Sequence, residues 1–582
     1  MKKILIIFCI FIVGLSNGWG LDDAILNHSF SDQGKRVVLC GNKTNGKNVL
    51  TQSMFRDGGN AVFVIKYDFI LSEDITIPAN SVLKFEGGSV SKHGFKGKIA
   101  NETLNALWFK DSESLLYSIN HLTGYKTIEL KRGRKYLFDD VIAPICSVVI
   151  NGNNATIGRS DIKNNISKPL IHIDAKTRIE SVTFKNIIFD GGAVPGLPVE
   201  VNYHQNMVAI NNVAKVESKN VRFEHFCPPY QSGVSPSNDF VNIAQYNSVI
   251  FDGVVFKKNI LYGEVVNLFP AGGNATPTTN VANDKVKITN SIFDFRGGRC
   301  YSVVNCYGGI LDFRNNEIYG CIGALNAYVH DSYIVGNIYA DAQSGFVDLS
   351  EQGQYYSRNV TISGNTIKNI SKFNHPVYGK NSTHLLECYG AEDITVVNNT
   401  YEPTSTGTEA DGAGYVFALS DGTKNVLIKK NRILCNGQLY GNVMGAPNEN
   451  IQFVDNFIYQ GHRSIYGLIR LNKEKGISFV RNTFEVSHSE NEKITGALVF
   501  IDKEGQILDG FVFSRNKMNC AVSVPMFVYV GKGDYPTLQN WELVGNKASG
   551  GGIMPATIRN KGETSTILKN NRGMQVVEEN VQ

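Results

Sequence analysis

Apolar and polar residues recur in one short phrase along most of this sequence. An apolar residue is followed by two variable residues, an asparagine, one more residue and usually a second apolar one, as in ISGNTI (362–367) and FVRNTF (479–484). Copies follow one another at intervals of 21 to 34 residues. A phrase that restarts in this way predicts a repeat architecture. The repeated asparagines are Asn316, Asn337, Asn365, Asn399, Asn431, Asn456, Asn482, Asn516, Asn546 and Asn571.

Each copy predicts short β-strands that meet at a tight turn, because alternating apolar residues bury one face of a strand. Asparagine suits the turn, since it tolerates the left-handed conformation and its amide bonds nearby backbone. When such coils stack, the amides lie about 4.8 Å apart and are expected to hydrogen-bond along a ladder. Variable spacing fits a β-helix, whose loops leave the coil at any corner, better than a helical solenoid or a propeller.

The predicted fold class is therefore all-β, a right-handed, single-stranded parallel β-helix (a β-solenoid) with an N-terminal cap. The hand follows the general preference of parallel crossover connections. A cap is expected because an open first coil exposes a strand edge. We expect residues 21–110 to form the cap and the first coils, and residues 111–582 to form the β-helix.

One stretch near the start, FVIKYDFILSEDITIPANSVLKFEGGSVSKHGFKGKIANET (63–103), alternates apolar and polar residues strictly. It resembles the N-terminal opening of right-handed β-helix proteins of the pectin-lyase-like class secreted by Bacteroidetes, and the asparagine repeats resemble that class across residues 125–575. The resemblance implies the fold for most of the chain. It is loose for activity, because the class includes polysaccharide lyases, glycoside hydrolases, epimerases and phage-tail-like binders.

The resemblance does not extend to catalytic motifs. The signatures of polygalacturonase-like hydrolases are missing, and GHRSIYGLIR (461–470) only echoes one of them. The Lys-Ser and Arg-His-Gly signatures associated with alginate and chondroitin lyases of this fold are missing too. No catalytic residue can therefore be carried over by motif, and candidates come from the strand register alone.

The first twenty residues are typical of a secretory signal. Lys2 and Lys3 precede the ten-residue apolar stretch Ile4 to Val13, which is too short to span a bilayer. Removing residues 1–20 leaves 55 basic and 53 acidic side chains, a balance that excludes a nucleic-acid binder by bulk charge. We expect an exported monomer, in the periplasm or outside the cell, with no membrane span.

Nine of the ten cysteines remain after that cleavage, and their spacing follows no zinc-ligand pattern. We expect most of them to be small buried hydrophobes, with Cys306 and Cys388 pointing inward. Export permits disulfides, and the sequence leaves Cys300–Cys306 and Cys306–Cys321 open as pairs.

Between successive asparagine turns lies a further strand of the form apolar–X–apolar, in which X is expected to point outward. Many X residues are amides, and the next outward position is often aromatic. Amides bond sugar hydroxyls and exposed rings stack on sugar faces, so the two rows predict a glycan groove, with an ordinary strand surface as the alternative. The X row is His172, Ala209, Asn242, Asn267, Asn305, Asn326, Asp348, Glu387, Ala418, Met444 and Arg470. The predicted substrate-binding residues of the two rows are Asn267, Asn305, Asn326, Tyr307, Tyr328, Tyr389 and Arg470.

Asp348 and Glu387 are predicted to share one register on adjacent coils, with backbones about 4.8 Å apart. Two carboxylates that close raise the pKa of one of them. The pair suits glycoside hydrolysis by an acid and a nucleophile. It also suits Ca²⁺, which would acidify the C5 proton of a uronate in a lyase. A surface pair relieved by a nearby cation is the third interpretation, and no cofactor is certain.

The loop before Glu387 contains Lys380 and His384, which are predicted to act as base or acid in a lyase. His462 and His488 each lie six residues after a repeated asparagine and are predicted to line the groove wall. Arg470 suits a substrate carboxylate. Two histidines without an evident third ligand do not predict a metal site.

The functional prediction is an exported carbohydrate-active enzyme that cleaves a polysaccharide or oligosaccharide, as a glycoside hydrolase or a uronate lyase. The alternative is a non-catalytic glycan-binding or structural surface protein. Cleavage of a glycan by the wild-type chain separates the two hypotheses.

Overall fold

The computed structural model divides the chain into two compact units, which we describe separately. Unit 1 comprises Met1–Asp161, Leu170–Ala175 and Ile179–Ile188, and unit 2 comprises Ile162–Pro169, Lys176–Arg178 and Phe189–Gln582. The predicted leader lies outside the described residues, and the predicted boundary at residue 110 stays a prediction. The described residues are 35–44, 46–56, 60–159, 169–192, 207–226, 240–259, 264–274, 282–296, 300–351, 355–371, 373–375, 379–381, 383–404, 415–435, 437–442, 445–460, 467–472, 474–486, 498–501, 507–521, 523–524, 526–529, 537–551, 554–560 and 566–580.

In its described residues, unit 1 combines short, mostly parallel strands with one α-helix, α1 (Ser112–His121). The Asp111 side chain caps this helix by accepting the Ser114 N–H, and Leu115 and Ile119 are buried. No helix in the described part of the chain is long and apolar enough to cross a membrane. Two 3₁₀ turns cover Gln52–Phe55 and Ala106–Trp108. The strands are Lys35–Val38, Asn42–Thr44, Lys47–Leu50, Ala61–Ile65, Asp68–Leu71, Ile75–Thr76, Val82–Phe85, Ser89–Ser91, Phe95–Lys98, Thr103–Asn105, Leu122–Thr123, Thr127–Glu129, Lys135–Phe138, Val148–Arg159 and most of Ile171–Asp190.

Unit 2 is a stack of parallel coils, and each coil contributes strands to three series that we call A, B and C. The predicted all-β class, a right-handed single-stranded parallel β-helix, is confirmed. Series A contains the X row and follows series C along the chain. Its strands are the first part of Val208–Lys219, then Val241–Tyr246, Val266–Pro270, Cys300–Cys306, Cys321–Ala327, Val347–Leu349, Leu386–Tyr389, Tyr415–Ser420, Gln438–Gly441, Ile469–Leu471, Val499–Ile501 and Phe527–Tyr529.

Series B precedes the asparagine turn of each coil and series C follows it. Series B comprises the rest of Val208–Lys219, then Ser248–Asp252, Lys285–Thr289, Ile310–Arg314, His330–Val335, Arg358–Ser363, Glu392–Val397, Lys424–Lys429, Glu449–Val454, Lys475–Val480, Ile507–Asp509, Val512–Ser514, Thr537–Gln539, Trp541–Val544 and Thr566–Lys569. Series C comprises Arg222–Glu224, Val255–Lys257, Ile292–Asp294, Glu317–Tyr319, Ile338–Gln343, Thr366–Ser371, Thr400–Glu402, Arg432–Cys435, Phe457–Gln460, Thr483–Val486, Lys517–Cys520 and Lys547–Ser549. Two further strand pairs are Phe373–His375 with Gly379–Asn381, and Met554–Asn560 with Met574–Asn580.

The interior of unit 2 is filled by side chains that repeat at one position from coil to coil. Phe223, Phe256 and Phe293 stack with ring centroids 4.7 and 5.1 Å apart, because their strands pair in register. Removing such apolar area from water contributes about 25 cal/mol per Å², so the stacked core drives coil formation. The same regular stacking fixes which residues face outward.

The predicted asparagine ladder is confirmed from Asn316 to Asn571. At Asn431, for example, the backbone N–H and the side-chain Nδ2 both donate to Oδ1 of Asn456, at 2.9 and 3.0 Å. Nδ2 of Asn431 also donates to the Val396 carbonyl at 3.0 Å. Asn431 is buried, so its amide replaces water for backbone groups that the turn leaves unpaired.

The predicted left-handed conformation of the ladder asparagines is wrong by one position. Positive φ angles occur at the residue immediately before each of them, such as Lys430 (φ 55°) and Gly336 (φ 67°). None of the ladder asparagines from Asn316 to Asn571 has a positive φ angle. The backbone at residues such as Lys430 adopts the left-handed conformation, which L residues with a Cβ usually avoid.

The cysteines are free wherever they are described, so neither open disulfide pair forms. Cys300 and Cys321 are paired residues of adjacent strands, whereas Cys306 ends the same strand as Cys300 and pairs with Ala327. The expectation of small buried hydrophobes is confirmed, since Cys306 and Cys388 are both 0% exposed.

Replacing one ladder asparagine should weaken unit 2 strongly. Asn431→Ala removes the acceptor for two donors of Asn399 and the donor to Val396, and each unsatisfied buried group costs about 1–3 kcal/mol. We expect a loss of at least about 3 kcal/mol in the free energy of unfolding, measured by urea or thermal denaturation. Asn519→Ala is the matched control, because Asn519 is exposed and bonds only Glu485 among the contacts described for it. Equal losses in the two variants would contradict the ladder's role.

Candidate functional site

Asp348 and Glu387 are paired residues of adjacent series A strands, as the sequence predicted. Their neighbours Val347, Leu349 and Leu386 are 0% exposed. Because successive side chains of a strand point to opposite faces, both carboxylates therefore point outward. The Asp348 side chain is 40% exposed and that of Glu387 is 26% exposed. The two acids therefore lie side by side at the outer face of unit 2, half-buried among their neighbours.

The outward row itself has the predicted register over most of its length. One position was wrong: Gly441, and not Met444, follows Ala418 in the row, and Met444 lies outside the described residues. Paired one after another, the row residues are Ala209, Asn242, Asn267, Asn305, Asn326, Asp348, Glu387, Ala418, Gly441 and Arg470.

His384 lies between the two carboxylates. Its Nε2 is 2.5 Å from Oδ1 of Asp348, and its Nδ1 is 3.4 Å from Oε2 of Glu387. The imidazole is 5% exposed, so the ring itself is shielded from bulk water. One ring nitrogen is thus within hydrogen-bond distance of Asp348, and the other lies at ion-pair distance from Glu387. The sequence predicted His384 as a candidate acid or base but gave no sign of this bridge.

Gly345 creates the space for the His384 ring. A Cβ at position 345 would lie 1.7 Å from Nε2 and 2.1 Å from Cε1 of His384, closer than any real contact. The backbone brings the two residues together, because the Phe346 N–H donates to the His384 carbonyl at 3.0 Å. Gly345 is thus a positioning residue for the imidazole, and sequence reasoning missed it because a lone glycine resembles a turn residue.

The electrostatics of the cluster separate the two acids. Burial raises the pKa of the Glu387 carboxyl, and the Asp348 carboxylate raises it further, whereas His384 and a hydrogen bond from Tyr389 lower it. Tyr389 donates its hydroxyl to Oε1 of Glu387 at 2.5 Å. Burial and the Glu387 charge raise the pKa of Tyr389, so the phenol stays a donor. A carboxyl of raised pKa beside a more exposed one is the arrangement that acid catalysis uses.

The same three residues are the donor set that a metal ion would use. Their ligand atoms all lie within 4.8 Å of one another. The imidazole, however, turns a different nitrogen to each carboxylate, so a single ion bound by all three requires the ring to leave its place over Gly345. Calcium also prefers oxygen ligands to imidazole. The geometry fits an imidazole held between two carboxyl groups better than a calcium centre.

The predicted amides of the row are less accessible than expected. Asn267 and Asn305 are 3% and 1% exposed, and Nδ2 of Asn305 donates to Oδ1 of Asn267 at 2.6 Å. Asn267 donates in turn to Glu264 at 2.7 Å, and Asn305 accepts from Ser302 at 2.8 Å. These amides are used within the protein, because stacking brings each one against the next. Asn326 is half-buried next to Asp348 in the row.

The predicted aromatic row is a stack of rings. Phe269 and Tyr307 lie face to face at 4.6 Å, and Tyr328 lies against Tyr355 at 4.2 Å. Ring faces that stack on each other cannot stack on a sugar, so the aromatic row presents ring edges and hydroxyls instead. Tyr328 is only 6% exposed and donates to Glu351. Tyr355 was missed, because it follows a loop that breaks the alternating pattern.

The remaining predicted residues have different outcomes. Arg470 is in the row, half-buried, and its Nη1 donates to the Tyr415 hydroxyl at 2.6 Å. Lys380 belongs to the short hairpin strand Gly379–Asn381, but its side chain lies outside the described part of the chain. His462 and His488 lie outside the described residues.

No protein-family model matches the chain, and no curated protein matches it significantly. Among solved structures, the chain is similar to the Streptococcus pneumoniae surface protein and adhesin PfbA, with 13% identity over 79% of this chain and 92% of that one, at a TM-score of 0.24. It is similar to the PL6 family alginate lyase AlyGC, with 9% identity over 94% of each chain and a TM-score of 0.24. A third is DFA-IIIase from Arthrobacter chlorophenolicus A6, with 11% identity over 75% of this chain and 83% of that one, at 0.22. These neighbours are parallel β-helix proteins, and at such identities and TM-scores they say nothing about the chemistry of this chain.

Gly345→Ala should displace the His384 imidazole from between the carboxylates, because the new Cβ occupies its place. We expect the downfield proton signal of the short His384–Asp348 hydrogen bond, assigned by its loss in His384→Asn, to vanish from the NMR spectrum. Gly551→Ala is the control, since a Cβ there meets nothing closer than 3.6 Å. An unchanged signal in Gly345→Ala would show that the glycine does not position the ring.

Proposed function

We propose that this chain is an exported carbohydrate-active enzyme that cleaves a polysaccharide by glycoside hydrolysis at Asp348 and Glu387. The observation that supports it is the outward carboxylate pair with His384 between the two acids, on a strand face whose backbone spacing repeats from coil to coil. A repeating face suits a repeating ligand, and cleavage of glycosides by two carboxyl groups is a general chemical solution.

Glu387 acts as the general acid. Its pKa is raised by burial, so its carboxyl keeps a proton to a higher pH than an exposed glutamate and can protonate the leaving glycosidic oxygen. Asp348 is more exposed than Glu387, and its Oδ1 lies against the His384 ring. Asp348 is therefore the nucleophile, or the anion that stabilises the oxocarbenium-like transition state.

The spacing favours retention of configuration. One oxygen of each carboxyl group lies within 4.8 Å of one oxygen of the other, which is below the range of about 6.5–9.5 Å in inverting glycosidases and agrees better with the shorter separation of about 5–5.5 Å in retaining ones. His384 keeps the acids at this distance and offsets one negative charge, which two adjacent carboxylates would otherwise not tolerate.

Hydrolysis fits the charge of the cluster better than β-elimination. A lyase must neutralise a uronate carboxylate and the negative charge that develops on it, which requires excess positive charge. Asp348, Glu387 and an imidazolium at His384 together carry at most a balanced charge. Cleavage through an oxocarbenium-like state gains from the carboxylates, whereas an enolate-like state does not.

Replacing the acids separates catalysis from binding. Glu387→Gln removes the transferable proton and Asp348→Asn removes the anion, so each should lower kcat by at least about a hundredfold on any glycan that the wild type cleaves. Binding of the same glycan, measured by affinity electrophoresis, should persist in both. Release of reducing ends without the ultraviolet absorbance of an unsaturated uronate identifies hydrolysis.

Glu449 and Asp455 are half-buried acids outside series A, on series B and the turn that follows it, and Glu449→Gln and Asp455→Asn give the matched control. Binding without cleavage by the wild type across a broad glycan panel would contradict the enzyme and favour a glycan-binding surface protein.

Tyr389→Phe should shift the pH profile in a defined direction. The Tyr389 hydroxyl stabilises ionised Glu387 and so lowers the pKa of that carboxyl. Without it, the pKa rises, the acid stays protonated to higher pH, and the alkaline limb of kcat/KM moves upward. Measurement of kcat/KM against pH for both proteins checks this, with Tyr459→Phe on series C as control. A downward or absent shift would exclude Glu387 as the acid that this limb reports.

A further inference from the structure

A second column of buried residues lies at the corner where series A leads into series B. Each member immediately precedes a series B strand, and the residue after it donates its N–H to the carbonyl of the member one coil earlier, as Lys475 does to Asn448 at 2.9 Å. These hydrogen bonds stack the corner residues as regularly as the strands. Along the chain the members are Ser357, Ala391, Thr423, Asn448 and Glu474, and all of them are buried.

The column changes its chemistry at Glu474. One coil earlier, Asn448 acts like a ladder asparagine, since its Oδ1 accepts the Thr423 N–H at 3.1 Å and its Nδ2 donates to the Leu419 carbonyl at 2.8 Å. A carboxylate accepts hydrogen bonds but donates none, and it also brings a charge into the interior. The amide pattern therefore stops at Glu474, and the polar groups around it must find other partners.

The Glu474 carboxyl is 2% exposed and has donors but no described counter-charge. Its Oε2 accepts the Asn472 N–H at 2.8 Å, and its Oε1 accepts the Tyr440 hydroxyl at 3.2 Å. Among the described residues no lysine, arginine or histidine forms an ion pair with it, and the adjacent Lys475 lies 3.7 Å from Glu449 instead. Burial raises the pKa of the carboxyl to about 7.

Two buried amides beside this carboxyl have unused polar atoms. Asn442 is 1% exposed and Asn472 is 4% exposed. Within the described part of the chain, neither amide atom of Asn442 and not Oδ1 of Asn472 has a hydrogen-bond partner. The Asn442 side chain is near enough to lower the pKa of Glu474 without reaching hydrogen-bond geometry. A proton on Glu474 would serve only one of the two amide oxygens, so the other would stay unsatisfied.

We infer that Asn442, Asn472 and Glu474 bind a monovalent metal cation, Na⁺ or K⁺, between two coils of unit 2. Hard cations bind carboxylate and amide oxygens, and one ion contacts several of them at once. The single carboxylate balances a single positive charge, whereas a divalent ion would leave excess charge buried. Asn442 follows the strand Gln438–Gly441, and the other two residues follow the paired strand Ile469–Leu471, so the ion would link consecutive coils.

This site is separate from the acid pair. None of its three residues belongs to the outward row, so the inference does not depend on the proposed function. A bound ion stabilises the folded chain by mass action, because the unfolded chain does not bring the three oxygens together.

Thermal unfolding of the full chain at about pH 8 in NaCl, KCl or choline chloride, each at about 200 mM, tests the site, because equal ionic strength keeps surface screening constant. We expect Tm to be about 2 °C or more higher in at least one alkali chloride than in choline chloride. Glu474→Gln removes the charge at nearly constant volume, and its amide can donate to a free oxygen, so this variant should fold and lose the difference.

Asn442→Leu is the second variant, because it replaces an amide ligand with an apolar side chain of similar size. It should reduce the difference as well, and it decides the question if Glu474→Gln does not fold. Glu402→Gln is the matched control, since Glu402 is on series C with its side chain 46% exposed, and it should keep the full difference.

Equal Tm values of the wild type in the three chlorides would overturn the inference, and a proton or a water molecule would then satisfy the cluster. A difference that persists in both Glu474→Gln and Asn442→Leu would overturn it too, because the ion would then bind elsewhere. A larger rise with about 5 mM CaCl₂ that is lost in Glu474→Gln would overturn the monovalent assignment.

Discussion

Register between the coils of unit 2 depends on hydrogen bonds between buried asparagine amides. Each amide accepts two donors from the preceding coil and donates to the next, so a slip of one coil position leaves several buried groups without partners at once. The stacked phenylalanines resist the same slip by packing. Everything on the outer face follows from this register, because the period of two then decides which side chains share a row.

The same register creates an electrostatic problem at Asp348 and Glu387. Two carboxylates on adjacent coils repel each other, and burial of Glu387 increases the penalty. The solution comes from the chain just before Glu387, where His384 enters between the acids, and from Gly345, whose missing side chain admits the ring. A pair of acids that destabilises the fold, and that two further residues, His384 and Gly345, hold in place, is typical of a functional site.

Glycine has a similar role at Gly441, where it admits the Tyr415 ring that orients Arg470. In both places a glycine, on the row or a few residues before it, lacks a side chain, and the ring of another residue therefore packs against its backbone. The regular coils thus supply a rigid surface, and side chains that approach it from outside the pattern give it local chemistry. Elsewhere on this face the repeated side chains contact one another and are not available to a ligand. Examples are the hydrogen-bonded amides of Asn267 and Asn305 and the stacked rings of Phe269 and Tyr307.

The sequence by itself determined the β-helix, the asparagine ladder and the pairing of Asp348 with Glu387, because these follow from short-range periodicity and from the side-chain period of two. Only the tertiary structure decided that His384 bridges the acids, that Gly345 and Gly441 make room for rings, that Tyr355 joins the aromatic stack and that Asn267 and Asn305 are buried. The tertiary structure also showed that the left-handed conformation belongs to the residue before each ladder asparagine, and not to the asparagine itself. Residues outside the repeat, such as His384, reach the outer face at positions that follow no regular spacing in the sequence. The exposure of a strand residue depends on which side chains cover it. Neither property can therefore be predicted from spacing along the chain.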